Sequence, residues 1–170
     1  LVGSEMCIRD RCYTDDLQFP EMTHLHFVRS PYPHAKIKKM DLSAAMESEG
    51  VLAIYTADDL IRDGVNPYPI PGPPGDFVTQ EILDRGYRNG NGEPMDPPRW
   101  LALAKDGVRY VGQPVVAILA ESAENALTAS ELVEVDYEEL ASVGTIQDAE
   151  KESAPAIWEG APGNLLIQME

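Results

Sequence analysis

The clearest pattern along the chain lies between Val108 and Leu140, where an apolar run, a helical spacing and an alternating stretch follow one another. Pro114 to Ala120 (PVVAILA) is continuously apolar, as a strand covered on both faces would be. The β-branched Val115, Val116 and Ile118 favour a strand over a piece of helix, and Gly112-Gln113-Pro114 punctuates its start. Ser122 is a capping residue whose hydroxyl can accept from a free backbone N–H of a first helical turn. Ala123, Ala126, Leu127 and Ser130 then recur at helical spacing, with side chains small enough for close approach to a sheet. Val133, Val135 and Tyr137 alternate with Glu134, Asp136 and Glu138, the period of a strand with one wet face. The intervening helix has about the length a crossover needs, so the pattern predicts a right-handed βαβ unit with two parallel strands.

The same plan occurs earlier. Met22–Arg29 reads as a strand stopped by Ser30-Pro31-Tyr32-Pro33. Ala35–Asp41 alternates as a second strand, Ser43–Glu49 carries a short helix signal ended by Gly50, and Val51–Tyr55 is another apolar strand. Thr56-x-x-Asp59 opens a capped helix through Arg62. The likeness between the two strand–helix–strand units is too weak to call a repeat. Gly64–Trp100 differs in kind: it carries more than half of the chain's 14 prolines. A long excursion of this sort inside a compact domain is functional or disordered. A surface segment that packs on another domain or subunit is expected, with a short helix over 76–85. After Leu140 the chain is loose, with Ile157 and Trp158 as residues able to pin it to the surface. Leu165–Met169 begins a last strand signal.

Composition narrows the function classes. The 170 residues suit one domain. A net charge of −16 argues against nucleic acid and anionic membrane surfaces. No apolar run approaches the roughly 20 residues of a membrane span. Residues 1–11 (LVGSEMCIRDR) match no element that follows. They resemble the in-frame translation of a transposon end, an appended scar rather than a signal peptide. Without it Cys12 stands alone, so a reducing, cytoplasmic setting is expected.

Candidate chemistry is sparse. Cys12 sits at the ragged edge of the native sequence, a poor position for a nucleophile. Asp15 and Asp16 are adjacent loop carboxylates with nothing nearby to complete a site. His24 and His26 share one strand face and, with His34, sketch a three-histidine metal site. The structural alternative, two half-buried imidazoles bonded locally, is favoured because imidazole ligands need a fourth group and an orienting shell. Gly86–Gly92 (GYRNGNG) superficially suggests a phosphate loop, but no strand precedes it and no helix follows. Gln113 reads as turn geometry before a buried strand, with Gly112 supplying an unusual φ and Pro114 the strand entry.

Taken in order, YTDDLQFPEM, HLHFVRSPYPHAKI, GVLAIYTADDL, VRYVGQPVVAILAES, ELVEVDYEEL and APGNLL resemble the successive blocks of the α/β hammerhead domain. That domain opens the molybdopterin-binding large subunit of the xanthine dehydrogenase/aldehyde oxidase family, which includes aerobic carbon monoxide dehydrogenases. Glu21 stands where the family usually has Gly, and His26 where it usually has a small residue. The resemblance implies an α+β fold with βαβ units. Its boundaries would be an appended 1–11, a hammerhead domain over 12–163 with its excursion at 64–100, and the start of a molybdopterin-binding domain at 164–170. It also implies an oxidoreductase that hydroxylates a carbon centre with oxygen from water. The substrate would be an aldehyde, an N-heterocycle or carbon monoxide. The cofactor would be a molybdopterin, in its cytosine dinucleotide form. Iron–sulfur and FAD domains or subunits, with the remainder of the large subunit, would be the partners. The family's catalytic glutamate and pterin-binding segments lie beyond Glu170, so the expectation is no catalytic, cofactor-binding or metal residue in this chain. The alternative is a stand-alone acidic α+β module that binds a protein partner through 64–100.

Overall fold

The computed structural model describes residues 17, 19–68, 93 and 100–165. Six strands and four short helices follow in order: β1 His24–Arg29, β2 Ala35–Asp41, α1 Ser43–Met46, β3 Val51–Tyr55, α2 Ala57–Arg62, β4 Gly107–Val108, β5 Pro114–Ala120, α3 Ala123–Glu131, β6 Glu134–Glu139 and α4 Ile146–Ala149. A 3₁₀ turn at Pro162–Asn164 closes the described chain.

The strands form two three-stranded sheets, β1-β5-β3 and β4-β2-β6, and every pairing is antiparallel. Consecutive strands alternate between the sheets. This corrects the expected parallel pairing. The strand–helix–strand units are present, but each helix carries the chain from one sheet to the other. β5 lies between β1 and β3, while β6 pairs with β2. The physical reason is in the strands' faces. β5 is apolar on both sides and needs neighbours at both edges and cover on both faces. β6 has one wet face, and its glutamates meet lysines instead: Lys36 lies opposite Glu138, and Lys38 Nζ reaches the same carboxylate at 2.5 Å.

β5 is the middle of the molecule. Val115, Val116 and Ile118 are fully buried. Val116 and Ile118 join Ala35, Val108 and Ala129 in the larger core cluster, which draws on both sheets, while Ala117 meets Ala57 and Leu103 in a smaller one. α3 packs across β1 and β5. Its buried residues are Ala126 and Ala129, so the helix backbone comes close to the sheet, as the small side chains require. Ser122 caps it as expected, accepting from Asn125 N–H at 3.1 Å.

α2 starts on the expected capping motif. Thr56 donates its backbone N–H and its hydroxyl to Asp59 Oδ2, at 2.8 and 2.7 Å. Those bonds, with Arg62 behind them, hold the Asp59 carboxyl below its ordinary range. A depressed folded-state pKa means that the contribution is complete above the unfolded value of about 3.9 and is lost as the pH falls through the folded one. Asp59→Asn is expected to cost about 1 kcal/mol at neutral pH, the usual size of a lost cap. In urea titrations from pH 7 to 3, the gap between wild type and variant should close below about pH 4.

The turn Phe19-Pro20-Glu21-Met22 is closed by Met22 N–H donating to the Phe19 carbonyl at 3.2 Å. Glu21 has φ of 59°, the left-handed region. A residue following Pro in such a turn favours glycine, and glycine is what the resemblance puts there. Glu21→Gly should therefore relieve strain of about 1 kcal/mol, read as a raised urea midpoint. An unchanged or lowered midpoint would count against a left-handed Glu21.

Candidate functional site: an aromatic groove at the root of the excursion

The site-forming residues come from three separate stretches. Tyr68 and Trp100 belong to the 64–100 excursion, and Tyr68 N–H donates to the Trp100 carbonyl at 2.7 Å, so the chain near its two ends is held side by side. Leu103 and Ala104 are buried just beyond, with Ala104 N–H donating to the Pro114 carbonyl at 2.8 Å. That bond ties the floor to the first residue of β5. The third stretch is the loose segment after α4. It is fastened by Asn164, whose amide donates to the carbonyls of Ala149 and Pro155 and whose Oδ1 accepts from Ile157 N–H at 2.9 Å. Trp158 is thereby brought onto Trp100, with ring centroids 6.3 Å apart and planes 16° from parallel.

Arg109 completes the arrangement. It directly follows β4 and lines an open groove of about 360 Å³ together with Tyr68, Trp100, Tyr110, Leu103 and Trp158. Its Cζ lies 4.0 Å from the Trp158 ring centroid, and its Nε donates to the Ile157 carbonyl at 3.0 Å. Burial pulls the guanidinium's pKa down, against the opposing pull of Glu159 and Asp106. The Arg109–Gln113 loop that carries it is closed internally. Gln113 Oε1 accepts from Arg109 N–H at 2.7 Å, and Gly112 stands at φ of 87°. The loop is also bolted to the end of β1: Ser30 N–H donates to the Gln113 carbonyl, Gly112 N–H to the Ser30 carbonyl, and Arg29 to the Gly112 carbonyl. Gln113 and Gly112 thus behave as turn residues, as their sequence context predicts.

The three histidines are not brought together. His24 and His26 are half-buried on β1. His34 precedes β2 in the other sheet, where its Nδ1 lies 2.7 Å from the Ala141 carbonyl. Among the described residues no three His, Cys, Asp or Glu side chains are grouped to hold a metal. Cys12, Asp15, Asp16, the 76–85 helix, the Gly86–Gly92 loop and the strand from 166 onward lie outside the described residues. Trp158 pins the loose segment, as expected of it. Arg109 and Trp100 carry no signal in the sequence, because nothing in the period of either stretch marks them.

Indole faces, phenols and one guanidinium can hold an apolar or planar group beside an anion. They supply no nucleophile with an adjacent base. This donor set does not suit a molybdopterin or its metal.

Comparison with known proteins decides the family. The model of the aldehyde oxidase and xanthine dehydrogenase α/β hammerhead domain matches residues 10–86 and 74–141. This chain belongs to that family. A probable xanthine dehydrogenase component from Bacillus subtilis (strain 168) is 33% identical over 154 residues, which cover 91% of this chain and 17% of that protein. The carbon monoxide dehydrogenase large chain of Hydrogenophaga pseudoflava is 31% identical, over 89% of this chain and 16% of its own length. Among solved structures, the aldehyde oxidoreductase from Desulfovibrio gigas superposes with a TM-score of 0.66 at 28% identity, covering 89% of this chain and 15% of that one. The hammerhead chain thus spans about a sixth of these relatives. Among the described residues no helix is long and apolar enough to cross a membrane.

Proposed function

We propose that this chain is the N-terminal scaffold and docking domain of a molybdenum hydroxylase large subunit, with the hammerhead over 12–163. The complete enzyme oxidatively hydroxylates a carbon centre of an aldehyde, an N-heterocycle or carbon monoxide, and takes the oxygen from water. The observation that carries this reading is the match to such proteins across nine-tenths of the chain, in order and with one shared fold. On this reading the molybdopterin, as its cytosine dinucleotide, is held by polypeptide beyond Glu170. Electrons leave through iron–sulfur and FAD domains or subunits, and the assembly works in the cytoplasm. The role left to this chain is mechanical. A rigid two-sheet core presents a groove rich in aromatic side chains, and the chain by itself carries out no turnover.

Elemental analysis of the complete, folded gene product tests the reading. Molybdenum should be present, and dye reduction should be found with one of the three substrate classes. The 170-residue chain alone should show neither. A folded complete subunit without molybdenum overturns the assignment. The exposed groove also suits a stand-alone acidic interaction module. Reading the coding sequence past Glu170 separates the two, because that module needs a stop codon close by.

A further inference from the structure

The guanidinium of Arg109 is held but not used up. Its Nε donates to the Ile157 carbonyl and its Cζ lies over the Trp158 ring, yet its two terminal nitrogens donate no hydrogen bond to any described residue. A half-buried guanidinium presents a planar fork that fits one carboxylate through two parallel bonds. It has lost part of its hydration, which is why its pKa is lowered. Its acidic neighbours Asp106 and Glu159 are not hydrogen-bonded to it and act at a distance. The aromatic residues around the fork are left open. Tyr68 is 61% exposed, and Trp100 and Tyr110 are each 55% exposed. Aromatic residues around an arginine, at the centre of a concave patch, are the usual composition of an interface's energetic centre.

We propose that this groove is the seat of a carboxylate-bearing, otherwise apolar segment of the same polypeptide beyond Glu170, whose Asp or Glu takes the open fork of Arg109. The proposal rests on the reading of this chain as part of a longer large subunit. Two observations favour the same polypeptide over a separate partner. The relatives carry about five-sixths of their length outside the matched region. The last described residues also lie beside the groove: Asn164 Oδ1 accepts from Ile157 N–H, next to Trp158. A segment tethered there meets the groove at high effective concentration, so a modest contact suffices to hold it.

The test uses the complete large subunit with its partner subunits. Arg109→Lys places an amine where the fork stood, and a zero-length carbodiimide links an amine only to a carboxylate already in contact with it. Peptide mass spectrometry should find this variant joined to one Asp or Glu beyond residue 170, and Arg109→Gln should lose the product. Hydroxyl-radical labelling of the wild type should leave Trp100, Tyr110 and Trp158 protected, a measurement that needs no variant to fold. Heavy labelling of those rings overturns the proposal. So does a link only to Asp106 or Glu159, or no link in a folded variant. A link to a separate iron–sulfur or flavin protein overturns the choice of the same polypeptide. Molybdenum content in the same preparation is scored independently. A large subunit lacking the metal with its groove occupied sinks the enzymatic reading and leaves the docking intact.

Discussion

Ile118→Ala is expected to lower the stability of the domain by about 3 kcal/mol, the middle of the range for a fully buried isoleucine cut back to alanine. Ile118 has no exposed surface and lies in the central strand, opposite His26 of β1 on one side and Ile54 of β3 on the other. α3 lies over the same strand, and the larger core cluster closes around it. The site is held by backbone ladders on both edges, so it has little freedom to collapse onto the vacated space. The cost should therefore include a cavity share on top of the lost transfer free energy. Leu25→Ala is the control. It removes a similar side chain from edge strand β1, but one that is 54% exposed, and should stay within about 0.5 kcal/mol. Urea unfolding followed by far-UV circular dichroism gives both values. Equal costs at the two positions would mean that β5 is not the strand everything else is packed around. Val116→Asp should abolish folding outright, since a carboxylate there has no partner and no water.

Much of this architecture was legible because the relevant signals are local. The apolar run of β5, the Ser122 cap, the Thr56–Asp59 capping motif and the small residues of α3 each report a preference that acts within a few residues. The partition into two sheets was not legible. Hydrophobic period states how many faces of a strand are covered, never which strand does the covering. A helix between two strands suggests a parallel neighbour, because that is the commonest use of a crossover. Here both crossovers bridge sheets, and the alternation of strands emerges only from the pairings. β4, at two residues, is too short to carry any period at all.

The groove was legible only in part, for a related reason. Trp158 stands out as a large apolar residue in a polar stretch and has to be covered by something. That its cover is Trp100 and Arg109 depends on contacts that span some fifty residues and run through a backbone carbonyl at Ile157. Glu21 shows the opposite case. The family likeness marks it as out of pattern, and its left-handed φ supplies the physical meaning of that mark.

Gly50→Ala is expected to be costly for two separable reasons. The first is backbone strain: Gly50 has φ of 72°, and an alanine there loses about 1 kcal/mol or more. The second is space. A Cβ on Gly50 would stand 1.9 Å from Asn125 Nδ2 and 2.8 Å from Asn125 Cγ, on the first turns of α3. The backbone cannot easily retreat, because the Gly50 carbonyl accepts from Glu121 N–H at 2.9 Å, at the junction that leads from β5 into α3. Asn125 can swing away, but only by leaving the small gap between the α1–β3 turn and α3. The combined cost should be about 2 kcal/mol, near the upper part of the ordinary range for single substitutions. A double-mutant cycle divides it. In the Asn125→Ala background the steric share should vanish and the strain share of about 1 kcal/mol should remain. Should Asn125→Ala leave the cost of Gly50→Ala untouched, the turn and the helix are further apart than the structure places them. Should it erase the cost entirely, Gly50 is not in the left-handed region, and the turn that carries the chain from α1 into β3 has a different conformation.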